Sequence, residues 1–149
     1  MRTNISNELT LKFPSRSCNE GFARTAIACF ATQMDPTLNE LEDIKTSVSE
    51  AVTNAIVHAY PDSIGTVTVI ARIYPEHILE ILVKDRGRGI SDVEKARQPM
   101  FTTGGEDRSG MGFTIMESFM DRLSVRSVPG RGTTVAMKKK LAPRVTGAK

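Results

Sequence analysis

The apolar residues of this chain change their repeat length several times, and that switching restricts the fold more than any other property. Leu9, Leu11 and Phe13 alternate with Thr10 and Lys12, the period of a half-buried strand, which Pro14 closes. Ser17 and Glu20 have capping-box spacing, and Phe22, Ala26, Ile27, Phe30, Ala31 and Met34 recur at helical intervals. They predict a helix over roughly 18–33, stopped by Asp35-Pro36. Thr37 and Glu40 repeat the signature ahead of Leu41, Ile44, Val48, Ala51 and Ala55, the inward stripe of a longer helix reaching about residue 59. After a turn marked by Pro61 and Gly65, β-rich runs at Thr66–Ile73 and Ile78–Lys84 flank Tyr74-Pro75-Glu76-His77. From Gly87 to Ser109 periodicity is lost, apart from a helical turn around Asp92–Arg97, as expected of a long functional loop. A helix resumes near Gly110 with Phe113, Met116, Phe119 and Met120 inward. Leu123–Val128 and Thr133–Lys138 then form a strand pair around Pro129-Gly130-Arg131-Gly132. The order β-α-α-β-β-loop-α-β-β implies an α/β two-layer sandwich, a mixed β-sheet with helices on one face.

The chain of 149 residues suits one domain with a short basic tail from about residue 141. Its 40% hydrophobic and 25% charged residues exclude a largely disordered protein. The first 30 residues carry charges throughout, with no signal-peptide core and no run of ~20 apolar residues, so a cytoplasmic protein is expected. Much of the +3 net charge sits at Lys138, Lys139, Lys140, Arg144 and Lys149, read as solvated because no aromatic residues interleave with it for nucleic-acid binding. Cys18 and Cys29 fall in one predicted helix, roughly 16 Å apart at ~1.5 Å per residue. That exceeds the ~7 Å a disulfide spans, so both are expected as buried small hydrophobes.

Four short motifs carry chemistry. Glu50, Asn54 and His58 recur at i, i+4, i+8 and share a helix face rotated away from the apolar stripe. Alone, such a column reads as a solvated face. Asp85-Arg86-Gly87-Arg88-Gly89 places a carboxylate at a strand end before two glycines that permit tight turns and close ligand approach. Gly110-Met111-Gly112 opens a helix, whose unpaired N–H groups can receive phosphate oxygens. Gly132-Thr133-Thr134 starts a strand. A P-loop is excluded: Gly105 and Gly110 have its spacing, but Met111 stands where its lysine is required.

In this order Glu50-Ala51-Val52-Thr53-Asn54-Ala55-Ile56, Asp85-x-Gly87-x-Gly89, Gly110-Met111-Gly112 and Gly132-Thr133 resemble the superfamily of gyrase, Hsp90, histidine kinases and MutL. From Leu9 to Lys139 the chain is similar to the anti-sigma serine kinases within it, most specifically at Phe101-Thr102-Thr103, Arg108 through Glu117, and Phe119-Met120-Asp121. The resemblance implies a Bergerat-type ATP pocket. Asp85 would accept a hydrogen bond from the adenine amine with Thr133 beside it, Asn54 would ligate Mg²⁺, and Glu50 would act as general base toward a hydroxyl nucleophile. Arg108 and the backbone of Gly110 and Gly112 would contact phosphate, and Gly87, Gly89, Thr103, Ser109 and Met111 complete the implied nucleotide-binding set.

It implies a kinase that phosphorylates a serine of an anti-anti-sigma protein, that alternatively binds and silences a sporulation sigma factor, and that forms a homodimer. The alternatives are nucleotide-gated sigma binding without catalysis, the general-stress relative of the same family, and a sensor histidine-kinase domain. The last needs a phosphoacceptor helical hairpin, which neither of the two histidines begins. Ala59 departs from the family's usual glycine after His58 and would restrict the loop after the helix; Gly104-Gly105 replaces a more charged, slightly longer segment, and with its length makes Pro99–Ser109 read as a mobile lid. His58 reads as structural and Arg86 and Arg88 as solvated. The outward face around Glu20 and Arg24 is assigned to the partner surface.

Overall fold

The computed structural model of the chain describes residues 4–98 and 112–143. Strands β1 (Asn7–Pro14), β2 (Thr66–Tyr74), β3 (Ile78–Asp85), β4 (Arg122–Val128) and β5 (Gly132–Lys140) form one sheet in the order β1-β2-β3-β5-β4. Every neighbouring pair is antiparallel, so the α/β sandwich stands but its sheet is not mixed. The reason lies in the helical connection after β3. It returns the chain as β4 in the direction of β3 but one place away, and β5 folds back antiparallel to both.

The helices cover one face. Helix α1 (Asn19–Ala31) continues as a 3₁₀ turn at Thr32–Met34, and α2 (Leu38–Asn54) continues as a π-helical turn at Ala55–Ala59. A single turn, α3 (Val93–Ala96), and then α4 (Gly112–Phe119) follow β3. Alternate residues of the central strands, Val67, Val69, Ala71, Leu79, Ile81, Val83, Val135 and Met137, meet Ile44, Val48, Ala51 and Val52 of α2 and Phe113 and Met116 of α4 in one core. Each fully buried branched side chain there contributes about 1.5–3 kcal/mol. The other face carries Lys12, Lys84, Arg126 and Lys138 into solvent.

Capping explains one helix start and fails at the other. Thr37 is extended and its Oγ1 accepts from the Glu40 N–H at 3.0 Å, while Glu40 Oε1 accepts from the Thr37 N–H at 2.8 Å. The expected Ser17/Glu20 box is absent. Residue Cys18 is already helical at the N-cap position, so no extended residue precedes α1 for a side chain to fold back from. Instead Asn19 Nδ2 donates to the Pro14 carbonyl at 3.0 Å.

The inward stripe of α1 is also rotated from expectation, to Ala23, Ile27, Ala28 and Ala31 followed by Met34, while Phe22 is 63% exposed. The same rotation turns Cys18 and Cys29 outward, so they are free exposed thiols and not core residues. Lys138–Lys140 belong to β5, and Lys139 is not solvated: its Nζ donates to the Phe119 carbonyl at 2.7 Å and pairs with Asp43 at 3.5 Å.

Candidate functional site

The site gathers where α2 ends, β3 ends, α4 begins and β5 begins. Asp85 is the last residue of β3, and the sheet register sets it directly opposite Thr133. Its Oδ1 accepts from the Gly87 N–H at 2.9 Å and the Thr133 N–H at 3.2 Å. Both described hydrogen bonds reach the same oxygen, which leaves the lone pairs of Oδ2 available to a further donor. Burial pushes the Asp85 carboxyl above the usual carboxylate range, although the Gly87 and Thr133 N–H groups pull the other way. A half-buried anion with its backbone side satisfied is a strong acceptor in a weakly solvated place.

The Thr133 side chain is buried, and its Oγ1 lies 2.8 Å from Ser127 Oγ. Ser127 also accepts from the Ile90 N–H at 2.7 Å and donates to the Gly132 carbonyl at 3.1 Å. With its single proton on Gly132, Ser127 receives the Thr133 hydroxyl proton and so orients that hydroxyl. Nothing in the sequence marks Ser127, because only the β4–β5 pairing brings it opposite Thr133.

Gly87 fits because its Cα lies against the end of α2: a Cβ there would stand 2.2 Å from the Ala59 carbonyl oxygen. Gly89 lies against the Val128–Pro129 turn. Arg88 donates through its N–H to the Ala59 carbonyl at 3.0 Å, joining the loop after Asp85 to the π-helical turn. Such turns are rare and concentrate at functional sites.

Glu50 and Asn54 project from α2 toward the first residue of α4. A Cβ on Gly112 would lie 3.2 Å from both Glu50 Oε1 and Asn54 Nδ2 and 3.5 Å from Asn54 Oδ1. The helix start and the polar column therefore share one cradle that any side chain at 112 would crowd. His58 sits in the π turn, past this cradle. Arg97 after α3 pairs with Glu117 on α4. Thr103, Arg108, Ser109, Gly110 and Met111, and with them the expected Pro99–Ser109 lid, lie outside the described residues. Among the described residues no group of three or more His, Cys, Asp or Glu side chains forms a metal cage, and no helix is long and apolar enough to cross a membrane.

Residues 13–139 match the model of the histidine kinase-like ATPase domain, which defines the class of the fold and site. The chain is 58% identical over 135 residues to the anti-sigma F factor of Caldanaerobacter subterraneus, covering 90% of this chain and 94% of that protein. It is 50% identical over 139 residues to the anti-sigma F factor of Bacillus subtilis, covering 93% and 95%. The RsbU and RsbW domains of a Mycobacterium tuberculosis protein share the fold at a TM-score of 0.67 and 18% identity, over 91% of this chain and 32% of that one. The chain thus belongs to the histidine kinase-like ATPase family and, within it, to the anti-sigma F factors.

Proposed function

We propose that the protein is a cytoplasmic anti-sigma factor and ATP-dependent serine kinase. It holds sigma F inactive and phosphorylates a serine of an anti-anti-sigma antagonist, working as a homodimer of one ATP-binding domain. The observation that carries this reading is the convergence of Asp85 and Thr133 at one end of a site with Glu50, Asn54 and Gly112 at the other. Relatives carrying the anti-sigma F name at 50–58% identity support the sigma partner.

The chemistry follows from the donor set. Asp85 Oδ2 accepts from an exocyclic amine, which favours adenine over guanine, whose corresponding group is a carbonyl. Asn54 would hold Mg²⁺ through one hard neutral side-chain oxygen. Mg²⁺, when bound, would screen charge on the phosphates. Glu50 lies one helical turn from Asn54 and takes the proton of the attacking serine hydroxyl. Arg108 and the backbone of Gly110 and Gly112 are proposed as phosphate contacts, Thr103, Ser109 and Met111 as further nucleotide-binding residues, and Gly87 and Gly89 as shaping the adenine end.

The test is gel filtration of the pure protein with sigma F, with and without ATP-Mg²⁺, beside calorimetric titration of nucleotide. Co-elution together with saturable ATP binding supports the reading. No nucleotide binding at millimolar ATP would remove it.

A further inference from the structure

Tyr60 closes the π-helical turn, at the end of the helix that carries Glu50 and Asn54, and no motif includes it. Its hydroxyl accepts from the Arg86 N–H at 2.7 Å and donates to the Thr66 carbonyl at 2.9 Å. A phenol has one proton to give and lone pairs to receive, so both bonds form at once. The ring is seated on Gly65, where a Cβ would stand 2.2 Å from Tyr60 Cε1. Gly65 is held in turn from both sides, its N–H donating to Ser15 Oγ at 2.9 Å and its carbonyl accepting from the Ser15 N–H at 2.8 Å. The ring has one seat, and its hydroxyl is delivered to one place.

That place is the peptide immediately after Asp85. The turn from Asp85 to Arg88 is tied to the end of α2 at two points, Arg86 N–H to Tyr60 and Arg88 N–H to the Ala59 carbonyl. Between them stands Gly87, whose N–H is the donor to Asp85 Oδ1. We propose that Tyr60 is a positioning residue of the nucleotide site: its hydroxyl fixes the backbone after Asp85 to the helix bearing Glu50 and Asn54, and thereby aims Oδ2 at the adenine amine. This rests on the reading of Asp85 as the adenine acceptor. Tyr60 touches no substrate; it acts through Asp85.

The discriminating variant is Tyr60→Phe, which keeps the ring in its seat on Gly65 and deletes only the hydroxyl. Kd for ATP and for GTP is measured by calorimetry on wild type and variant, beside thermal midpoints without nucleotide. One neutral hydrogen bond corresponds to about three- to tenfold in an equilibrium constant. Tyr60→Phe is therefore expected to weaken ATP by about that factor, with little change for GTP, so the ATP:GTP preference narrows. A lower thermal midpoint with an unchanged preference assigns Tyr60 a structural role only and overturns the proposal. Unchanged ATP affinity overturns it as well. A wild type that binds ATP and GTP equally would remove Asp85 as the adenine acceptor and the proposal with it, whereas a selective wild type with an equally selective variant removes the proposal alone.

Discussion

Asp85→Asn separates binding from folding, because the structure sets opposite signs for the two. The Asn oxygen can keep the Gly87 and Thr133 N–H donors that now reach Oδ1, which turns the Asn amide toward the position of Oδ2. A donor then faces the adenine amine, itself a donor. Hydrogen bonds to a charged acceptor contribute about 1.5–3 kcal/mol, so nucleotide affinity should fall about 10- to 150-fold. Stability should not follow. Burial raises the folded-state pKa of Asp85 above its unfolded value, so the folded state binds the proton more tightly. Stability from this group therefore falls as pH rises between the two values, and the ionised carboxylate is a fixed cost above the folded one. Asn removes that cost, and the nucleotide-free variant should melt at or above the wild-type temperature at neutral pH. Acidification toward the raised pKa should weaken ATP binding by the wild type and leave the variant's residual binding flat over the same range. Calorimetry across pH with parallel thermal melts measures both. Unchanged affinity at neutral pH, or a loss of affinity that only tracks a loss of stability, would refute the reasoning.

Gly112→Ala should raise helix propensity at the start of α4 by up to about 1 kcal/mol, yet its methyl would press on Glu50 and Asn54 at 3.2 Å. Roughly tenfold weaker ATP-Mg²⁺ binding in a protein of undiminished thermal stability is expected, and full affinity would show that α4 does not border the site. Arg24→Ala removes a surface i,i+4 pair with Glu20 at 3.5 Å, of small stabilising effect, about 0.3–0.5 kcal/mol. It should weaken sigma F binding in a pull-down while sparing ATP affinity; normal binding to sigma F and antagonist alike would take this face out of the partner surface. Asn54→Ala should lower Mg²⁺ and ATP affinity together in paired titrations, and loss of neither would exclude Asn54 as the metal ligand.

What the sequence made legible is what short-range chemistry determines. The Thr37/Glu40 box and the alternation in β2 and β3 each depend on residues within a few positions, and each appears as a local pattern. Long-range pairing is not written that way. Ser127 meets Thr133 only because β4 lies beside β5, and Tyr60 meets Arg86 only because the end of α2 abuts the end of β3. The antiparallel sheet has the same origin, since periodicity marks strands but not the slot each one takes. The misreading of α1 is a matter of angle: Phe22 belongs to the apolar repeat and the cysteines fall in the same predicted helix, but the stripe that is buried is Ala23, Ile27, Ala28 and Ala31. Lys139 shows the limit of composition, because a cation in a basic run is half-buried where a carbonyl and Asp43 await it.

The measurement that bears most directly on the central claim is γ-phosphate transfer by Glu50→Gln beside the wild type, scored on the same preparations as ATP affinity and sigma F retention. Glutamine keeps the shape and hydrogen-bonding reach of Glu50 but cannot accept a proton at neutral pH, and a general base contributes about 10²–10⁴-fold in rate. With radiolabelled ATP, Mg²⁺ and the anti-anti-sigma protein, the wild type should place label on serine. Glu50→Gln should transfer it at least a hundredfold more slowly while binding ATP and sigma F as before. Transfer by the variant at the wild-type rate, or no phosphoserine from the wild type, would contradict a serine kinase that uses Glu50 as its base.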